Sequence, residues 1–347
     1  MTCGADEMAS KVYLVKEPFL TNLEIALDKF GLKRRFSGKS AAVKAHMGEY
    51  ENLNYIRPAL LGKVVEILLS AKAKPFVFDS PTSYHRRRHT VNDYFDTARR
   101  NGFTKETIGC EIKISDEALN EKGTILRRVG VCRDIANAEA MIVLSHGKGH
   151  VCGAYGGAIK NLGMGAVDIA TKDAIHENAA PLIDREKCTG CAACIEVCHP
   201  KANSLKNKKI SIDYGKCWGC DRCVKACKYG ALKPKIAFFN YLLADSAGAV
   251  LRKFQKENVL YVTMLMSIAP RCDCNPRSGM SAMQDIGILV SNDICAIDCA
   301  AIDLINKTFG KDWFESLKYR NPKEQTEMIE KFGLGNSKYK LEGIGGG

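Results

Sequence analysis

Cys188-Thr189-Gly190-Cys191-Ala192-Ala193-Cys194-Ile195-Glu196-Val197-Cys198-His199-Pro200 and Cys217-Trp218-Gly219-Cys220-Asp221-Arg222-Cys223-Val224-Lys225-Ala226-Cys227 are two ladders of one pitch, C-x2-C-x2-C-x3-C. Pairs of the form C-x2-C also serve zinc ribbons and disulfides. A zinc ribbon takes four ligands in two pairs, whereas each ladder has a third cysteine at the same pitch and a fourth beyond it, twice over. Disulfides fit poorly, because Met1 to Ser10 carries Asp6 and Glu7 and has no apolar core of a secretory leader. A reducing, anaerobic cytoplasm is the expected setting. The ladders therefore read as iron-sulfur ligands.

Each ladder resembles the run that wraps a 4Fe-4S cube in bacterial ferredoxins, where three cysteines on a tight loop bind one cube and the fourth crosses to the other. The resemblance implies two 4Fe-4S clusters and electron transfer. Cys188, Cys191, Cys194 and Cys227 would hold one cube, and Cys217, Cys220, Cys223 and Cys198 the other. Two departures are visible: His199 separates Cys198 from Pro200, and Lys228-Tyr229 follow Cys227 where a proline is usual. Both alter the surroundings of a cube, not its ligation.

Outward from the ladders the pattern changes. Strand-like runs at 11–15, 40–45, 75–79 and 141–145 alternate with helical stretches at 57–71 and 90–101. In 57–71, Leu60, Leu61, Val64, Val65 and Leu68 share one face. After Pro234 the alternation resumes, with a helix over 239–256, strands over 259–266 and 285–290, and a helix over 293–305. Strand-helix alternation on both flanks predicts an α/β layered domain with a largely parallel sheet, interrupted by a small α+β dicluster insert. The expected division is a poorly ordered N-terminus at 1–10, the α/β domain at 11–180 and 237–310, the insert at 181–236, and a C-terminal helical extension and tail at 311–347. Met8 is a candidate start, since the first strand-like run follows Met8-Ala9-Ser10 directly.

The net charge of +12 over 347 residues invites a nucleic-acid reading until it is located. Residues 181–236 hold 12 Lys and Arg against 5 Asp and Glu, so +7 of the +12 lies on the ladder segment. Two oxidised cubes with their thiolates carry roughly four negative charges, which this excess offsets. No nucleic-acid partner is expected. The longest apolar stretch, 259–269, is interrupted by Thr263 and Ser267 and is too short to span a bilayer, so no membrane partner is expected either.

Four polar constellations follow strand-like runs, where open α/β sheets bind ligands. They are Lys44-Ala45-His46-Met47-Gly48-Glu49; Asp79 with Tyr84 and 86–88; Ser145-His146-Gly147-Lys148-Gly149-His150; and Gly156-Gly157 with Lys160, Asn161, Gly163 and Gly165. His146, Lys148 and His150, spaced by glycines, can present imidazole and ammonium groups to one ligand. The glycines after them would let backbone amides approach an anion, with Lys160 adding charge. A dinucleotide fingerprint is not met, because Asp168 stands where the third glycine after Gly163-x-Gly165 belongs.

Together with Cys272-Asp273-Cys274 and Asp285 to Asp293, the first, third and fourth of these motifs resemble the domain of unknown function 362 family in its version with a ferredoxin insert. The resemblance spans roughly residues 11–308, with Ile294 where proline is commoner. It implies an iron-sulfur-centre protein whose motifs line a common site, and no particular reaction. Among cysteines outside the ladders, Cys110, Cys132 and Cys152 read as core or loop thiols, and Cys295 with Cys299 as one apolar helix face. Cys272-x-Cys274 sits in polar sequence and suits metal ligation or redox chemistry. The leading expectation is an oxidoreductase in which two clusters serve a site made by His46, His146, Lys148, His150 and Lys160 with Cys272 and Cys274. A redox partner protein, a ferredoxin or reductase, and a small-molecule substrate follow from it. An electron-transfer subunit and a metal or cluster handling factor are the alternatives. The sharpest expectation is that His146, Lys148 and His150 meet Cys272 and Cys274 across more than one hundred residues of chain.

Overall fold

Ala140–His146 and Val259–Leu265 are buried at every position, as strands covered on both faces must be. The computed structural model, which describes residues 9–346, lays them side by side and parallel, with Met141 opposite Val259 and Ser145 opposite Thr263. Residues 1–8, with Cys3 and most of the segment expected to be poorly ordered, lie outside the described residues. In chain order the main-sheet strands are β1 (Ser10–Val15), β2 (Ser40–Ala45), β3 (Lys74–Asp79), β4 (Glu111–Ile114), β5 (Ala140–His146), β6 (Val259–Leu265), β7 (Gly287–Ser291) and β8 (Tyr339–Ile344). Their spatial order is β8-β1-β7-β6-β5-β2-β3-β4. All neighbours are parallel except β7, which runs antiparallel to β1 and to β6. The fold is the mixed α/β arrangement with a largely parallel sheet that the sequence predicts.

Strand side chains alternate between two apolar layers. Ala41, Val43, Ile142, Leu144, Val262 and Ile288 face α1 (Phe19–Lys29) and α2 (Pro58–Ser70). Ala42, Met141, Val143, Tyr261 and Leu289 face α3 (Ala158–Gly165), α4 (Ile169–Ala179), α5 (Phe239–Leu251) and α6 (Ile294–Phe309). Helix α2 opens with Pro58 in its first turn, where a missing N–H costs nothing. Helix α6 opens on Asp293, whose carboxylate accepts from the amides of Cys295 and Ala296, and closes on Gly310 at φ 81°. Cys295 and Cys299 are buried on α6, their thiols directed at the backbone oxygen and hydroxyl of Thr326.

Two stretches differ from the sequence reading. Helix α5 stops at Leu251 rather than at Lys256, because Lys253 and Phe254 close i,i+3 bonds onto Val250 and Leu251. After short helices at Trp313–Ser316 and Glu324–Lys331 the tail becomes β8, pairing with β1 from Ser10 opposite Tyr339 to Val15 opposite Ile344. Half-exposed β8 lacks the apolar run that marks β5 and β6.

The ladder segment leaves the main domain through a two-stranded neck. Pro181–Ile183 pairs antiparallel with Leu232–Pro234, which brings both ends of the segment together. A hairpin of Asn203–Lys206 and Lys209–Ile212 turns at Asn207 and Lys208, both at positive φ, so the lysine-rich tip is solvated. Buried Asp221 ties the segment to the main domain by pairing with Arg320 and accepting the Phe239 amide.

Candidate functional site

Parallel strands end at a common edge, so the residues following β2, β3, β5 and β6 share one rim of the sheet. The 266–286 excursion between β6 and β7 carries Cys272-Asp273-Cys274 over that rim. It meets the segment after β5 at Gly149, whose amide donates to Ala269 O at 3.0 Å. A Cβ on Gly149 would lie 2.2 Å from the Pro270 carbonyl oxygen, so only glycine permits this approach. The next residue, His150, thereby reaches the cysteines: one ring nitrogen and the Cys272 and Cys274 sulfurs all lie within 4.8 Å of one another.

Asp273, 1% exposed, holds the rim together. Its carboxylate accepts from His146 Nδ1 at 2.9 Å and from Lys148 Nζ at 3.0 Å. Burial alone would raise its pKa, but His146 and Lys148 hold it far below the usual carboxylate range. His146 Nε2 faces the Met266 carbonyl at 2.8 Å, so both ring nitrogens are engaged and neither lone pair is offered to a ligand. The loop carbonyls are fixed from the far side: Asp273 O by the Glu49 amide, Cys274 O by Tyr84 Oη, and Asn275 O by Asn52 Nδ2. Behind them Arg88 pairs with buried Glu49 at 3.3 Å and donates to Tyr84 Oη at 2.7 Å.

The two thiols are unequal. The neighbouring Cys274 thiol pulls the Cys272 pKa well down against the effect of burial, with Lys160 and Lys148 adding to the pull; the Cys274 thiol is pushed up by Cys272 and by burial. Lys160 Nζ donates to Cys272 Sγ at 3.2 Å and the Cys274 amide to the same sulfur at 3.4 Å. Burial would lower Lys160, but Cys272, Cys274 and Asp273 outweigh it and keep the ammonium charged. His150 is held neutral by burial and by Lys160, and its Nδ1 accepts the Gly153 amide at 2.9 Å. His46 is likewise neutral through burial and Arg88; its Nδ1 accepts the Gly48 amide at 2.8 Å and its buried Nε2 has no partner among the described residues.

The structure thus brings His146, Lys148, His150, Lys160, Cys272 and Cys274 to one rim, with His46 close enough to Asp273 and Lys148 to feel their charge. One expectation is corrected. The amides after Gly157 do not await an external anion, because Asp298 already fills that place, accepting from Ala158 N at 2.8 Å and Ile159 N at 3.0 Å. Two residues escaped the sequence reading: Asp273, overlooked between the cysteines that flank it, and Cys152, read as an isolated thiol.

In the ladder segment, Cys188, Cys191, Cys194 and Cys227 line one pocket. Cys198 lies within electrostatic reach of Cys217 and Cys223. Backbone amides point at the sulfurs: Ile210 N to Cys188 at 3.3 Å, Ala202 N to Cys198 at 3.3 Å, and Gly219 N to Cys217 at 3.4 Å. The thiol of Cys152, two residues past His150, lies close enough to that of Cys220 for each to shift the other's ionisation, Cys220 being pulled down and Cys152 pushed up. The second ladder therefore abuts the rim.

The family described as domain of unknown function DUF362 matches residues 41–303. No curated protein matches the sequence. Among solved structures, the lactate racemase apoprotein from Thermoanaerobacterium thermosaccharolyticum aligns with a TM-score of 0.36 and 9% identity, over 77% of this chain and 53% of that one. The chain thus spans about half the length of that protein. Among the described residues no helix is long and apolar enough to cross a membrane.

Proposed function

This chain belongs to the DUF362 family, whose name leaves the activity open, and we propose that it is an iron-sulfur redox protein acting on a small-molecule substrate at the rim of its sheet. The eight ladder thiolates are the ligands, four from Cys188, Cys191, Cys194 and Cys227 and four from Cys217, Cys220, Cys223 and Cys198. Two 4Fe-4S clusters bound there supply single electrons at low potential. The shared pocket of the first four thiols and the amides directed at three sulfurs support this ligand set, and the third and fourth cysteine of each ladder favour a cube over zinc. The adjacency of Cys220 and Cys152 carries the reading, since it sets a ladder thiol against the segment that presents His150.

At the rim, the unpaired Nε2 of His46 and the neutral ring of His150 can give or take a proton, and the Lys160 ammonium favours an anionic substrate group. Lys148 and His146 hold Asp273, and with it the loop, in place. Cys191 is the most exposed ladder thiol, so an electron-donating protein, a ferredoxin or reductase of the reducing cytoplasm, meets the insert on that side.

Alanine at Cys152 tests the adjacency. In an anaerobic redox titration followed by electron paramagnetic resonance, the native protein should show two one-electron couples. The variant should retain its iron and lower one couple only, because removing the polar thiol beside the Cys220 sulfur makes an added electron less favourable. Two unmoved couples would contradict a cluster beside the rim.

A further inference from the structure

The ladders account for eight thiols and leave His150, Cys272 and Cys274 without an assigned ligand. We propose that these three residues form a separate mononuclear site for a thiophilic divalent cation of the zinc class, with a fourth coordination position left for a small anionic ligand. The proposal rests on the redox reading above, to which it adds the chemistry at the rim.

The geometry is near that of a bound ion. The ring nitrogen and two sulfurs lie within 4.8 Å of one another, whereas ligands of a tetrahedral zinc ion, at about 2.3 Å for sulfur and about 2.0–2.1 Å for nitrogen, stand about 3.5–3.8 Å apart. Closing that gap takes side-chain movements of about 1 Å. The donor set is two thiolates and one imidazole, which selects zinc-like ions over magnesium or calcium. Three protein ligands with one open position is the pattern of catalytic rather than structural zinc.

The surroundings are built for such a centre. Lys160 Nζ at 3.2 Å and the Cys274 amide at 3.4 Å both donate to Cys272 Sγ, as outer groups do to metal thiolates. Tyr84 Oη and the Glu49 amide pin the loop from the other side through Cys274 O and Asp273 O. His146 is excluded as a ligand because both nitrogens are engaged, which leaves His150 as the imidazole. Its Nδ1 accepts the Gly153 amide at 2.9 Å, so ligation through that nitrogen exchanges an amide hydrogen for the metal. Both sulfurs ligate as thiolates, so binding weakens at low pH. Lys160 beside the sulfurs favours an anion in the fourth position.

The test uses the cluster-loaded protein purified anaerobically, incubated with zinc sulfate and desalted. Zinc and iron are then counted in one sample, and zinc-edge X-ray absorption reads the ligand shell. The expected result is one zinc per chain, with two sulfurs and the remainder nitrogen or oxygen, and a shell that changes when azide is added. Serine at Cys272 or Cys274, or alanine at His150, should weaken zinc retention at least tenfold with iron unchanged, while serine at Cys110, a buried thiol on another element, should change neither. Full iron with no retained zinc, or a Cys272–Cys274 disulfide found by alkylation mapping, would overturn the metal site and leave the redox reading standing. Zinc in a four-sulfur shell with iron missing would instead overturn the redox reading.

Discussion

Alanine at Asp273 is expected to cost about 3–5 kcal/mol of stability, the penalty for stranding a buried charge. The carboxylate is 1% exposed and accepts from Lys148 and His146, which are 6% and 1% exposed. Its removal leaves the buried Lys148 ammonium without its ion-pair partner. The same truncation removes the carboxylate that links the 266–286 excursion to His146 and Lys148, leaving the Gly149–Ala269 and His146–Met266 contacts to hold it and loosening the frame of His150, Cys272 and Cys274. Urea unfolding under anaerobic conditions reads the loss. The double variant with Lys148→Met should recover part of it, because the charge that was stranded is gone too. An unfolding midpoint unchanged in the single variant would mean that the rim is held by other contacts.

Serine at Cys198 is expected to remove one whole cluster, taking iron from about eight to about four atoms per chain. In the crossed arrangement the lost signal belongs to the set of Cys217, Cys220 and Cys223, although Cys198 lies in the other ladder. The electron paramagnetic resonance spectrum of the variant should therefore match that of Cys223→Ser and differ from that of Cys191→Ser. Its motivation is placement: Cys198 lies within electrostatic reach of Cys217 and Cys223, whereas Cys227 lines the cavity of Cys188, Cys191 and Cys194. A spectrum matching Cys191→Ser would mean that each ladder keeps its own four ligands.

The sheet was legible because β5 and β6 carry long apolar runs, Ala140 to Leu144 and Val259 to Val262, and such runs are strands covered on both faces. The rim was legible through one rule, that parallel strands end at a common edge, which placed His150 and Cys272 together without any local signal linking them. What the sequence hid was pairing between distant polar groups. Asp273 looks like any loop aspartate until His146 and Lys148 arrive from β5 and beyond. Asp298 lies on an apolar helix, α6, and nothing near it announces that it caps α3. Cys152 became informative only when the insert folded back and set Cys220 against it. Strand β8 was hidden for a different reason: an edge strand with one neighbour needs little apolar patterning, and Tyr339–Ile344 has little.

The central claim is that the ladders hold two 4Fe-4S clusters, and iron with acid-labile sulfide in the anaerobically purified native protein tests it most directly. The account predicts about eight of each per chain, with broad absorption near ~400 nm that bleaches on reduction. Zinc at the ladder cysteines with no labile sulfide would contradict it.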